Sequence, residues 1–370
     1  MIKRLKLILH FLILLLFLST TSLNAQVLKD TASLSIIKKC VDCVYNFQFS
    51  EADQIFIKFN NSHLGHPLVY LINGMKTYWE HYPLVTTSGE RSSFENDLRT
   101  CIELSEKKHN PSDEAEYLLT DLCARGMLLL FYSDNDLSRD VIPLASGTYQ
   151  YIRQAFDYPE AYADFNFFTG IYNYYREAYP DAHPVYKALA FLFPKGNKAK
   201  GIKELRNGSQ NSIFLKAESS SFLSNIYISF ESDFENGLNY SKSLHELYPA
   251  NLQYLSDYIR NMLLVKQYDE AEKLITASIQ ISNKYYLAQL SVFNGIIEEK
   301  KYHDTEKAIK YYNQGVREIS LFGDYGNDFA AYAYFGLSRL SDDIAGKHYK
   351  KTYRKKALDL ASYKKINFDD

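Results

Sequence analysis

FENG at residues 234–237 recurs 34 positions later as YDEA at residues 268–271. Both stretches consist of an aromatic residue, two polar residues and a small residue. A fixed period of this length indicates stacked pairs of antiparallel helices, because a single pair cannot bury its apolar face alone. We expect the small residue to let the second helix of a pair press on the first, while the aromatic residue fills the gap beside it.

The surrounding sequence has the spacing of helices throughout. Leu252, Leu255, Ile259 and Leu263 form an apolar stripe at intervals of three and four residues, and no long stretch alternates between apolar and polar residues. Ser232 with Glu235 three residues later predicts a capping box at the start of a helix. We therefore predict an all-α protein of roughly 16 to 17 helices, arranged as about eight antiparallel pairs.

The end of the repeat carries a family resemblance. Leu244 to Pro249, the stretch LHELYP, follows the small Gly237 in the way that usually closes such a repeat. The sequence resembles the tetratricopeptide repeat family over roughly residues 212–360, and more weakly over 36–80. The resemblance implies a right-handed superhelical solenoid whose concave side binds protein or peptide partners.

A second resemblance covers about 40 residues in the middle of the chain. Its landmarks are Gly170, Tyr179-Pro180, Gly196, Gly201 and Leu205. Their order is similar to that in the tetratricopeptide repeat domain 39 family, which includes an inclusion body clearance protein. This similarity also implies helical repeats, and it implies no catalytic group.

The first residues predict export. A cationic start at Lys3, Arg4 and Lys6 precedes an apolar run of about 12 residues, and Ala25 is a small residue at the expected cut. That run is shorter than the ~20 residues that span a bilayer. We divide the chain into a signal peptide at 1–25, an irregular helical half at 26–195 and a more regular repeat half at 196–370. We expect a periplasmic or cell-envelope protein.

Charge excludes one class of partner. The full chain has a formal net charge of −2, from 42 basic and 44 acidic residues. Removal of Lys3, Arg4 and Lys6 with the signal peptide leaves 39 basic residues and a net charge of −5. An acidic protein has no electrostatic basis for binding nucleic acid. No other run is apolar and long enough to cross a membrane, so we expect no transmembrane segment in the mature chain.

The sequence leaves the roles of the four cysteines open. Cys40 and Cys43 form a C-x-x-C motif inside a predicted helix, so they are structural residues, a local disulfide or the redox pair of a thiol-disulfide oxidoreductase. Cys101 and Cys123 lie at equal distances from a predicted turn at residues 110–112. They would therefore sit at the same level of a helix pair, where a disulfide is feasible.

The favoured function is a non-catalytic scaffold that binds a protein or peptide partner, and a glycan-binding envelope protein is an alternative. No contiguous catalytic, metal or cofactor motif occurs, so we predict no enzyme and no cofactor. The repeat register places six residues on the concave side: Phe222, Ile226, Gln253, Ser256, Arg260 and Gln289. We expect Arg260 to be solvated beside the packing stripe, where its replacement changes stability by less than ~0.5 kcal/mol.

Overall fold

A computed structural model describes residues 26–182, 193–344 and 347–369 of the chain. The described residues are helices and loops without any strand, which confirms the all-α prediction. The predicted signal peptide at 1–25 lies outside the described residues. The predicted boundary at 195/196 adjoins another stretch, 183–192, that the structure does not describe.

The described helices are numbered α1 to α16. In the first half they are α1 Thr31–Tyr45, α2 Phe49–Ser62, α3 Pro67–Glu80, α4 Arg91–Ser105, α5 Glu114–Asp134, α6 Ser138–Ala155, α7 Phe165–Ala182 and α8 Lys198–Asn211. In the second half they are α9 Lys216–Ile226, α10 Phe234–Leu247, α11 Leu252–Leu264, α12 Tyr268–Ser278, α13 Lys284–Ile297, α14 Thr305–Ile319, α15 Asn327–Ile344 and α16 Lys347–Leu360. Each helix packs mainly on its neighbours in sequence.

A second set of contacts joins alternate helices. α1 packs on α3 and α3 on α5, while α11 packs on α13 and α13 on α15. The first helices of successive pairs therefore form rows, as expected for an all-α repeat protein. None of the described helices combines the length and apolarity that crossing a bilayer demands.

Gly237 shows why the repeat needs a small residue. A Cβ atom at this position would lie 2.4 Å from Cγ1 of Ile228 and 3.2 Å from the carbonyl oxygen of Ser224. Asn261 of α11 reinforces the same junction, because its amide donates to Oγ of Ser224 at 3.0 Å and to Oγ of Ser241 at 2.9 Å. A side chain larger than hydrogen at 237 would push α10 away from Ser224 of α9 and from Ile228.

The middle segment uses a similar close approach. Gly170 of α7 faces Gly201 of α8, and a Cβ atom on Gly201 would lie 2.7 Å from the carbonyl oxygen of Gly170. Leu205 closes the other side of the contact, since a Cβ atom on Gly170 would lie 2.9 Å from its Cγ. The glycines that mark the middle pattern therefore permit backbone contact between two helices.

The predicted capping box at the start of α10 is wrong. Ser232 has a left-handed backbone with φ of 56°, at the end of a short π-helical turn, Tyr227–Glu231. The cap is Asp233, whose carboxylate accepts a hydrogen bond from the backbone N–H of Asn236 at 3.1 Å. The π-helical turn adds one residue before α10, so the cap falls at Asp233 instead of Ser232.

Contacts between distant helices lie along the inner face, the side formed by the rows of first helices that include α1, α3 and α5 and α11, α13 and α15. The hydroxyl of Tyr45, at the end of α1, donates to the carbonyl oxygen of Phe214 at 3.0 Å and also to the carboxylate of Glu218. The side-chain amide of Asn251 donates to the carbonyl oxygen of Tyr45 at 2.8 Å, and Tyr248 donates to Asp42 at 2.9 Å. The first helix pair therefore contacts the segment that joins α10 to α11.

The C-terminal tail, residues 361–369, folds back onto the last helix pairs. Arg339 of α15 forms an ion pair with Glu299, with Nη2 2.9 Å from Oε2, and donates to the carbonyl oxygen of Asn367 at 2.6 Å. Ile366 and Phe368 are buried. The tail therefore becomes part of the wall of the inner face.

Candidate functional site

The inner face surrounds a cavity of about 420 Å³ that is partly open to solvent, called here the central cavity. Residues of α3, α5, α7, α9, α11, α13, α15 and the C-terminal tail line it. Its size falls in the ~300–1,000 Å³ range of pockets that bind small ligands or individual side chains. Asp324 and Ser362 are exposed at its margin, so the cavity meets solvent there.

Aromatic side chains make up much of the wall. They are Tyr78, Trp79, Tyr82, Tyr175, Phe222, Tyr254, Tyr285, Tyr325, Phe329, Tyr332 and Tyr363. Trp79 stacks on Tyr82 with ring centroids 5.2 Å apart and meets Tyr254 edge-on at 5.5 Å. Tyr82 in turn meets Tyr285 edge-on at 6.1 Å. These contacts join α3 to α11 and α13 across the inner face.

Carboxyl groups outnumber basic groups in the cavity. Asp134, Glu218, Asp257, Asp324 and Asp328 line it, and Arg260 is the one basic residue among the described lining residues. The excess of acidic groups favours a positively charged ligand over an anionic one.

Burial has a strong effect on these carboxyl groups. It raises the pKa of Asp134 to about 7, although a hydrogen bond with Tyr78 opposes the shift. It also raises the pKa of Glu218 to about 7, against the hydrogen bond from Tyr45. The pKa of Asp257 is raised by burial too, while the charge of Arg260 acts in the opposite direction. A cation entering the cavity would stabilise the ionised form of all three.

Arg260 is held inside the cavity wall. Its Nη1 lies 3.2 Å from Oδ1 of Asp257, its Nε donates to Asn261 at 3.1 Å, and only 12% of its side chain is exposed. Burial lowers the pKa of Arg260, but the charges of Asp257 and Asp328 and the neighbouring Tyr332 together outweigh it, so the net pKa is raised. The expectation of a solvated Arg260 is therefore wrong. The residues across the cavity cover a side of α11 that would be exposed to solvent in an open groove.

Two of the other five predicted partner-contact residues also line the cavity, Phe222 and Gln253. Gln253 donates to Asp257 at 3.2 Å. The remaining three, Ile226, Ser256 and Gln289, are buried, with at most 1% of each residue exposed. Their side chains are covered by neighbouring residues and do not line the cavity.

The sequence did not predict several of the residues that line the cavity. Asp257 had a usable signal, because it lies four residues after Gln253 and three before Arg260, on the same helix face. Trp79, Asp134 and Glu218 had none, since they reach the cavity only through contacts between distant helices.

Three buried oxygen atoms in the cavity wall lack a partner, one of them the hydroxyl oxygen of Tyr325. Oε2 of Glu218 and Oγ of Ser229 are buried and form no hydrogen bond within the described part of the chain. Ser229 is 7% exposed. Buried polar atoms are normally paired, so these oxygens mark places in the cavity wall where a hydrogen-bond donor is missing.

All four cysteines are buried free thiols. Burial raises the pKa of Cys40 to about 12 and also raises that of Cys43, which suppresses the thiolate that redox chemistry requires. The predicted bridge between Cys101 and Cys123 is not formed. The two residues sit on neighbouring helices, but the thiol of Cys101 points to the carbonyl oxygen of Thr120, 3.8 Å from its Sγ.

Comparison with protein-family models gives no match to this chain, and comparison with curated proteins gives none either. No group of three or more potential metal ligands occurs within residues 26–182, 193–344 and 347–369. The candidate function therefore rests on the central cavity and its chemistry.

Proposed function

We propose that the protein is an exported, non-catalytic binding scaffold of the tetratricopeptide-repeat type, with its helix pairs wound into a right-handed superhelix. The 34-residue recurrence and the close approach at Gly237 support this proposal. Rows of first helices along the inner face support it too. Identification of Gln26 as the first residue of the exported protein by mass spectrometry would test the export step.

The function we propose is recognition of a partner protein through side chains that enter the central cavity. The observation that carries it is the convergence of Phe222, Gln253 and Arg260 with an aromatic wall around about 420 Å³. Aromatic residues and arginine dominate the energetics of protein interfaces because they combine a large contact area with hydrogen bonding.

The competing functions have weaker support. A thiol oxidoreductase needs an accessible thiolate, whereas Cys40 is buried and its pKa is raised to about 12. A glycan site commonly offers an open aromatic face. Trp79 instead stacks on Tyr82, meets Tyr45 edge-on at 5.8 Å and is only 8% exposed.

Site-specific photo-crosslinking tests the proposed function. A benzoylphenylalanine residue at position 222 should crosslink to one segment of a partner protein in the cell envelope, identifiable by mass spectrometry. The matched control places the same residue at Ile279, which is 55% exposed and outside the cavity. Equal crosslinking from both positions, or none from 222, would contradict recognition in the cavity.

A further inference from the structure

We propose that the central cavity recognises a primary alkylammonium group, the group that ends a lysine side chain. The inference rests on the proposed function and specifies the chemistry of what enters the cavity. It follows from charge, unpaired polar atoms and aromatic surface that line one partly open cavity.

The first argument concerns charge balance. Arg260 is already paired with Asp257 at 3.2 Å. Asp134 and Glu218 line the same space, and within the described part of the chain neither has a basic partner within ion-pair distance. Two carboxyl groups therefore face the cavity with no cation to balance them, and a bound cation would replace the solvation that they lose by burial.

The second argument concerns hydrogen bonding. Oε2 of Glu218 and Oγ of Ser229 are buried acceptors without a partner in the described residues. An ammonium group carries three N–H donors and no acceptor, so it satisfies such oxygens directly. An anionic ligand would leave the carboxyl oxygen unpaired and add repulsion.

The third argument concerns the walls. Tyr175, Phe222 and Tyr363 are only partly buried and place aromatic rings on the wall of the cavity. Aromatic faces attract cations and pack well against methylene chains. An alkylammonium side chain presents both features, because four methylene groups lead to its charged end.

The same features disfavour other cations. A divalent metal needs several ligands converging at one point, and no such group of three occurs among the described residues. A guanidinium group is a planar fork that suits two parallel hydrogen bonds to one carboxylate. One oxygen of Glu218 is already occupied by Tyr45, which leaves a single oxygen and favours the more compact ammonium group.

An alkylammonium group could come from a lysine side chain or from a free polyamine. Trp79 is the sole tryptophan of the chain and lies in the cavity wall, so its fluorescence reports occupancy. Four probes separate the possibilities when titrated into the full-length exported protein: acetyl-lysine amide, acetyl-arginine amide, acetyl-glutamate amide and spermidine. We expect saturable changes with the lysine probe and at least about tenfold weaker binding of the arginine and glutamate probes.

Matched charge-removing variants complete the test. Asp134→Asn and Glu218→Gln should each weaken binding of the lysine probe by about tenfold, which corresponds to ~1.4 kcal/mol. Glu235→Gln removes the same charge from an exposed position outside the cavity and should leave binding unchanged. Circular dichroism of each variant checks that the fold is retained, and the two cavity variants test the inference independently.

The outcomes are distinguishable. Saturable binding of either amine, weakened only by the cavity variants, supports ammonium recognition, and preference for spermidine identifies a free polyamine as its source. Absence of saturable binding by both amines overturns the inference, as does equal weakening by Glu235→Gln. If position 222 crosslinks to a partner segment that contains no lysine, ammonium recognition fails while the proposed binding function stands.

Discussion

Arg260→Ala tests whether Arg260 and Asp257 form a shielded ion pair in the wall of the central cavity or lie in an open groove. Removal of a fully buried partner from an ion pair costs ~3–5 kcal/mol, and exposed pairs contribute ~0–1 kcal/mol. Arg260 and Asp257 lie between these limits, with 12% and 18% of their side chains exposed. We therefore expect Arg260→Ala to reduce the free energy of unfolding by about 2–3 kcal/mol.

The expected loss of stability in Arg260→Ala has two sources in the structure. Asp257 would remain in the cavity with its neighbouring acids and without a counter-charge. The side-chain oxygens of Asn225 and Asn261 would also lose their donors, at 3.4 and 3.1 Å. Asp257→Asn removes the charge that Arg260 balances, so it should lessen the effect of the arginine substitution. We expect a coupling energy of about 1–2 kcal/mol between the two substitutions.

The assay is urea unfolding at pH 7.5, followed by circular dichroism, for the wild type, the two single variants and the double variant. Arg317→Ala is the control, because Arg317 is an exposed arginine of α14, and its loss should change stability by less than ~0.5 kcal/mol. A loss below ~0.5 kcal/mol for Arg260→Ala, or additive single effects, would refute the reasoning and restore the solvated arginine of the sequence prediction.

Three further predictions follow from burial. Gly336→Ala should destabilise the protein by about 2–3 kcal/mol in urea unfolding, because the new Cβ would lie 2.3 Å from the ring of Tyr312. The control Gly89→Ala places a Cβ in open space and should be nearly neutral. A neutral Gly336→Ala would contradict the packing. Burial raises the pKa of Asp134 to about 7. The folded chain therefore keeps a proton that the unfolded chain loses near pH 4, so the free energy of unfolding falls as pH rises from about 4 to about 7. Asp134→Asn should therefore match the wild type at pH 4 and exceed its stability by about 1–3 kcal/mol at pH 8; an equal difference at both pH values would count against the shift. The four buried thiols should react with a thiol reagent at least about 100-fold more slowly in native buffer than after unfolding, and fewer than four thiols after unfolding without reductant would reveal a disulfide.

Much of the local structure could be predicted from the sequence. The stripe from Leu252 to Leu263 identifies α11 and its buried side, since three of its four members face the core and spacing within one helix depends only on helical geometry. The need for a small residue at 237 also follows from the recurrence of its position 34 residues later. The cap of α10 did not follow, because the π-helical turn before it adds a residue that no sequence pattern indicated.

The candidate site was predictable only in part. The repeat register put Phe222, Gln253 and Arg260 on the inner side of their helices, and all three line the cavity. The register could not give the distance across the inner face, so it missed that Ser256 and Gln289 are covered.

The sequence by itself determined that this chain is all-α and built from stacked helix pairs, because apolar spacing and small residues act within a helix or between neighbours in sequence. Only the tertiary structure decided that the inner face narrows to a partly open cavity. This narrowing depends on contacts such as Asn251 with Tyr45, which lie 206 residues apart. Burial of charge follows from that narrowing, so the paired Arg260 and the raised pKa of Asp134 are consequences of distant helices meeting.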